Sequence, residues 1–124
     1  MIRIALLDDH PLILKILRQE LAKLPDVQIL WESGEIEALM TLVAHHPPDV
    51  LLLDLAFSGS GFDPAAAVRD LRARFPALHV LILTAQDDPV WVEELIRAGA
   101  GGYIVKSDDL TLRIGEAIRA VAAG

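Results

Sequence analysis

Four short apolar runs in this chain each stop at a polar residue, and that repeated stop constrains the fold more than any other feature. IRIALL leads into Asp8 and Asp9, DVLLL into Asp54, HVLIL into Thr84 and GGYIV into Lys106. Runs this short cannot make buried helices. Being continuous rather than alternating, they suit strands covered on both faces. Val27 to Trp31 reads as a further strand. If the strands run parallel, all five polar residues fall at one edge of one sheet.

Between these runs the hydrophobic period changes. Pro11 stands where a first helical turn tolerates proline; Leu12, Ile13, Ile16, Leu17, Leu21 and Leu24 recur at helical spacing, and Pro25 ends the pattern. Ser33 and Gly34 precede a helix carrying Ile36, Leu39, Met40 and Val43, stopped by Pro47 and Pro48. After the Ser/Gly stretch Phe57 to Phe62, Asp63 is suited to cap a helix that starts at Pro64 and passes Val68 and Leu71 to about Phe75. Asp88 and Pro89 open a helix through Val92, Leu95 and Ile96, with Gly99 as its stop. Tyr103 to Val105 is a short strand, and Asp108 or Asp109 caps a last helix with Leu112, Ala117, Ile118 and Val121 facing inward. The pattern predicts one α/β domain over residues 1–124: (βα)5, a doubly wound, five-stranded parallel sheet with helices on both faces. A (βα)8 barrel needs about twice the length. Ligands of such sheets bind beyond the carboxyl ends of the strands.

Composition excludes several function classes. With a net charge of −7, this segment is unsuited to gripping a phosphate backbone by itself. Cysteine is absent, which removes disulfide and thiolate chemistry and fits a cytoplasmic protein. The apolar start is too short for a signal peptide, and no run approaches the roughly 20 residues of a membrane span.

The polar residues suggest their own chemistry. Asp8 and Asp9 are adjacent carboxylates that repel each other, an arrangement that makes sense where a divalent cation offsets the repulsion. Mg2+, or Mn2+, takes oxygen ligands and keeps several waters, so one or two carboxylates and a phosphate oxygen suffice. Asp54, ending the central run, is either another metal ligand or a nucleophile that carries an aspartyl phosphate. Lys106 is the candidate to balance the added charge, and Thr84 offers a hydroxyl to a phosphoryl oxygen. Singly, each residue is as well explained by a helix cap or a solvated turn; it is the conjunction that points to a site.

At these residues the chain resembles the receiver domain of two-component response regulators, over essentially its whole length. The landmarks are LLDDHPL around Asp8 and Asp9, DVLLLDL around Asp54, LILTAQDD around Thr84 and RAGAGGYIVK ending at Lys106. The DDHP start, the AGAGGYIVK stretch and the closing EAIRAVAAG are most similar to the LuxR/NarL-type branch. The resemblance implies strand order 2-1-3-4-5 in a flavodoxin-like three-layer sandwich. It implies that Asp54 accepts a phosphoryl group from a sensor histidine kinase, and that Asp9, Asp54 and the backbone carbonyl of Ala56 hold Mg2+ with Asp8 acting directly or through water. Lys106 would pair with the phosphate, Thr84 would turn to hydrogen-bond it, and Tyr103 would swing inward, switching the face built from the fourth helix, fifth strand and fifth helix. Ala56 and Gln86 are expected to modulate phosphoryl lifetime. The protein is then no enzyme beyond Mg-dependent phosphorylation and dephosphorylation of its own Asp54. A second copy of the chain is a candidate partner, and DNA is expected to be reached only through a C-terminal output domain outside these residues.

Some residues depart from the pattern or invite other readings. After Asp54 the chain reads Phe57-Ser58-Gly59-Ser60-Gly61-Phe62-Asp63, without the proline usual in this branch. Ala56 is small, so faster loss of phosphate is expected. Ser107 follows Lys106 where many receivers have proline. Trp91 falls off the Val92-Leu95-Ile96 stripe and is a candidate interaction anchor. Trp31 covers an edge strand, His45 and His46 sit at a helix end favoured by its dipole, and His10 and His79 carry no role derivable from the residues. The alternatives are a small aspartyl-phosphate phosphatase, a flavodoxin-like electron carrier and a receiver used only as a binding module. The first expects Asp-x-Asp after the first strand, where His10 stands. The second expects a Ser/Thr-rich phosphate loop in place of DDHPL. The intact polar set argues against the third.

Overall fold

A computed structural model describes residues 1–54, 63–85, 89–107 and 109–124. Five strands, β1 (Ile2–Leu7), β2 (Val27–Ser33), β3 (Val50–Asp54), β4 (His79–Thr84) and β5 (Gly102–Val105), alternate with five helices. The helices are α1 (Pro11–Leu21), α2 (Leu39–His45), α3 (Pro64–Arg74), α4 (Pro89–Ala98) and α5 (Leu110–Ala122), with a 3-10 turn (Ile36–Ala38) leading into α2. All strand pairs are parallel and the order is β2-β1-β3-β4-β5. Strand order reverses beside β1, so the carboxyl ends of β1 and β3 flank the switch point, where ligands of this architecture bind.

Period-two alternation along the strands sorts the core into two layers. Ile4, Leu6, Val50, Leu52, Leu81, Leu83 and Ile104 face Leu17 and Leu21 of α1 and Leu110, Ile114, Ile118 and Val121 of α5. Ala5, Leu7, Leu51, Leu53, Val80 and Ile82 face α2, α3 and α4 through Leu39, Val43, Val68, Leu71 and Leu95. Every residue of β3 is buried, because this central strand has a helix layer on each side. Each fully buried Leu, Ile or Val stabilises the fold by about 1.5–3 kcal/mol, before conformational entropy opposes it.

The helix ends follow local chemistry. Asp63 accepts from the backbone N–H of Ala66 at 3.2 Å, and Pro64 occupies the first turn of α3. Gly99 ends α4 at φ +117°, a conformation that disfavours any side chain. Asp109 stands at the N-cap of α5 but makes no side-chain cap bond; Asp108 lies outside the described residues, as do the 57–62 stretch and Asp88. No described peptide bond is cis, Lys106–Ser107 included.

Three residues expected inside are exposed: Leu12 at 67%, Leu112 at 81% and Ile96 at 43%. Helical geometry explains each. Leu110, Ile114 and Ile118 form the inward stripe of α5, and Leu112 lies about 200° round from Leu110. Leu12 is about 140° from Leu17, and Ile96 about 200° from Ala98, so both are turned from the buried stripe of their helix.

At the β1–β2 ladder the register slips between Ile4 and Ala5, so that Trp31 rather than Leu30 pairs with Ala5. The extra residue puts Trp31 on the α2 side, where its Nε1 donates to the carbonyl of His46 at 2.9 Å. Trp31 thus ties the edge strand to the end of α2 as well as covering it.

Candidate functional site

The sheet brings Asp8, Asp9, Asp54 and Lys106 together. Asp8 follows β1, its backbone N–H held by the carbonyl of Ser33 at 3.0 Å. Asp54 is the last residue of β3, in register with Leu83 of β4. Lys106 follows β5, and its N–H donates to the carbonyl of Thr84 at 2.7 Å, extending the β4–β5 ladder by one step. Its stem is packed away, leaving the side chain 9% exposed, with Nζ 2.8 Å from Asp8 Oδ2 and 2.9 Å from Asp54 Oδ1. The side chains of Asp8 and Asp54 are essentially excluded from solvent, while that of Asp9 is 27% exposed.

Three carboxylates therefore face one ammonium at the edge of a buried sheet. Burying charge without compensation is costly, so the cluster demands cationic company. One donor atom from each of Asp8, Asp9, His10 and Asp54 lies within 4.8 Å of the others. Thr84 ends β4 one residue beyond the Asp54–Leu83 register pair and is buried. Its position places a hydroxyl-bearing residue at the same edge.

His10 also belongs to the site, which its sequence context alone does not reveal. It occupies the N-cap of α1 without capping it by its side chain. Instead its backbone N–H donates to Asp8 Oδ1 at 2.8 Å, and its Nδ1 lies 2.9 Å from the same oxygen. That local turn folds the ring back over the acids; the i, i+2 spacing from Asp8 is the signal that could have found it. The hydrogen bond to Asp8 raises the imidazole pKa above its ordinary value, against burial and the nearby Lys106.

The other described sequence-derived candidates lie apart from the cluster. Tyr103 is 41% exposed and lines a groove of about 750 Å³ with Val105, Ser107, Arg113 and Glu116. Trp91 is 38% exposed on α4, near Val90 at 76%. His45 Nδ1 lies 2.9 Å from the carbonyl of Thr41, within its own helix, and His79 opens β4, half-buried. Ala56 and Gln86 lie outside the described residues. Among the described residues no helix is long and apolar enough to cross a membrane.

Residues 4–114 match the family model described as the response regulator receiver domain. The chain is 33% identical over 123 residues to the transcriptional regulatory protein DegU of Brevibacillus brevis, covering 99% of this chain and 51% of the relative. It is 37% identical over 123 residues to the nitrate/nitrite response regulator protein NarP of Escherichia coli, covering 98% and 55%. The signal receiver domain of the response regulator NarL from Mycobacterium tuberculosis superposes with a TM-score of 0.87 at 30% identity, covering 99% of this chain and 97% of that one. The chain spans about half the length of the curated relatives it matches.

Proposed function

The chain belongs to the response regulator receiver family, in its NarL/LuxR-type branch, and from that premise we propose that it is a phosphorylation switch with Asp54 as its phosphoacceptor. The observation that carries this reading is the buried Asp54 carboxylate at the end of the central strand, 2.9 Å from the Lys106 ammonium and grouped with Asp8 and Asp9. An Asp54 oxygen attacks phosphorus of a phosphohistidine on a sensor kinase; the P–N bond breaks, and the imidazole departs neutral, keeping the proton already on its other ring nitrogen. Lys106 is already placed to pair with the added dianion.

The donor set fits a hard divalent cation: clustered carboxylate oxygens, largely buried, with more negative than positive charge. Asp9 and Asp54 would hold Mg2+, or Mn2+, with the carbonyl of Ala56, and Asp8 would act directly or through water. Bound there, the cation supplies charge neutralisation for the transferring phosphoryl group. The protein's own part is to position Asp54, exclude water from it and present Lys106.

Thr84 and Tyr103 are the switch pair. Thr84 turns its hydroxyl to a phosphoryl oxygen, and Tyr103, 41% exposed, moves into the space released. That biases the α4-β5-α5 face between two arrangements. The output is a DNA-binding domain joined after residue 124, the partners are a histidine kinase and a second copy of the chain, and the protein works in the cytoplasm. It has no catalytic role beyond turnover of its own acyl phosphate, with Ala56 and Gln86 modulating its lifetime. The placement of Asp8 and Asp9 just after β1 and of Asp54 at the end of β3 favours this over an Asp-x-Asp phosphatase.

Incubation with acetyl phosphate and Mg2+ followed by intact-mass measurement tests the assignment. The wild type gains one phosphoryl group and Asp54→Asn gains none. An unmodified wild type, or equal modification of the variant, refutes it.

A further inference from the structure

His10 reaches the acid cluster with one ring atom and leaves half of its side chain in water. Nδ1 lies 2.9 Å from Asp8 Oδ1, 3.3 Å from Asp9 Oδ1 and 3.4 Å from Asp54 Oδ2, with the side chain 51% exposed. Those separations mean more than charge balance. Two metal–ligand bonds of about 2.0–2.1 Å hold their donor atoms about 3.0 Å apart when they meet at a right angle, and about 3.3 Å apart at the tetrahedral angle. The distances around Nδ1 match the edges of such a coordination polyhedron. A second observation points the same way: Asp8 Oδ2 and Asp9 Oδ1 are buried and, among the described residues, accept no hydrogen bond. Lys106 Nζ pairs with the first at 2.8 Å, and His10 Nδ1 stands 3.3 Å from the second.

Nδ1 also has the Lys106 ammonium 3.5 Å away. An ammonium offers only donors and a carboxylate only acceptors, so in the metal-free site Nδ1 carries the proton that Asp8 Oδ1 accepts, and an ion binding there displaces it, leaving the ring proton at Nε2 on the solvent side. Backbone geometry keeps the ring there. The His10 N–H bond to Asp8 Oδ1 at 2.8 Å does not involve the ring and survives if Nδ1 takes a ligand role.

We propose that His10 Nδ1 is an additional ligand of the acidic site, making it selective for borderline first-row ions such as Co2+ and Zn2+ beyond what its carboxylates alone would select. The inference rests on the reading of the cluster as a divalent-cation site. Imidazole nitrogen suits these ions, whereas Mg2+ is served by carboxylate, carbonyl and water. Replacing His10 therefore weakens the d-block ions and leaves Mg2+ nearly untouched. In a cell the imidazole would let a d-block ion compete with Mg2+ at the phosphoacceptor.

Titration of Co2+ and, separately, Mg2+ into wild type and His10→Ala tests this by calorimetry and Co2+ visible absorption, at slightly alkaline pH, which eases displacement of the imidazole proton by the ion. The wild type binds Co2+ about tenfold or more tightly than the variant, with a change in the d–d spectrum, while Mg2+ affinity agrees between them. Co2+ held by exposed His45 and His46 is common to both proteins and cancels in the comparison. Equal Co2+ affinity in the two proteins overturns the proposal. Equal loss of Co2+ and Mg2+ binding also overturns it, since that marks a change of charge or fold rather than a lost ligand. If Mg2+ binds neither protein, the cation-site reading fails on its own, and the Co2+ difference still decides the role of His10.

Discussion

Replacing Asp9 by Asn should stabilise the metal-free protein and abolish most of its response to Mg2+. The Lys106 ammonium pairs with Asp8 and Asp54, so this substitution leaves both of those contacts in place. What it removes is repulsion. One oxygen of Asp9 lies within 4.8 Å of an oxygen on Asp8 and one on Asp54. At an effective dielectric of about 20–40, each such pair repels by about 1.7–3.5 kcal/mol. His10 Nδ1, 3.3 Å from Asp9 Oδ1, offsets a large part of the sum in proportion to its protonation. The residue is a stabilisation of about 1–3 kcal/mol on neutralising Asp9. With an unfolding entropy of about 2.1 cal/mol/K per residue, that is a rise in Tm of about 4–12 °C. Added Mg2+ should reverse the order: at ten times its Kd it stabilises the wild type by about 1.4 kcal/mol, and the variant by much less. Thermal unfolding by circular dichroism, with chelator and with Mg2+, measures both. A variant that melts at or below the metal-free wild type, or that keeps the full Mg2+ increment, refutes the reasoning.

Gly99→Ala should cost about 1–3 kcal/mol by urea unfolding, because the φ of +117° disfavours a side chain and the new Cβ would sit 2.9 Å from Arg72 Cγ. Arg72 cannot easily yield, since its guanidinium donates to the carbonyls of Pro76 and Leu78; an unchanged midpoint would show that it does. The hydrogen bond from Arg119 holds the Asp26 carboxyl down to about 2. Its folded value is depressed, so the contribution is present above the unfolded pKa of about 3.9 and lost as pH falls through about 2. Asp26→Asn should flatten the acid limb of the stability profile in that window, and parallel profiles would contradict the pairing. Ala56→Arg should lengthen the half-life of the phosphorylated protein, followed by loss of phosphate after removal of the donor; no lengthening would reject a role for its small size.

Much of the fold was legible because hydrophobic period is a local property of the chain. The runs IRIALL and DVLLL show their burial on both faces, and Asp63-Pro64 marks a helix start that the structure reproduces with the bond to Ala66. Inward and outward faces were less legible. Leu12, Leu112 and Ile96 share helical spacing with true core residues, yet which 100° of a helix is buried depends on how it seats on the sheet.

The sequence by itself determined that five strands alternate with five helices and that Asp8, Asp9, Asp54, Thr84 and Lys106 stand at strand ends. Only the tertiary structure decided that Lys106 lies between Asp8 and Asp54, that Trp31 reaches the carbonyl of His46 through a slipped register, and that His10 turns its ring into the acids. Period and capping arise between neighbours in the chain. Charge pairing in a buried cluster arises between groups from different strands, whose distances exist only once the sheet has closed.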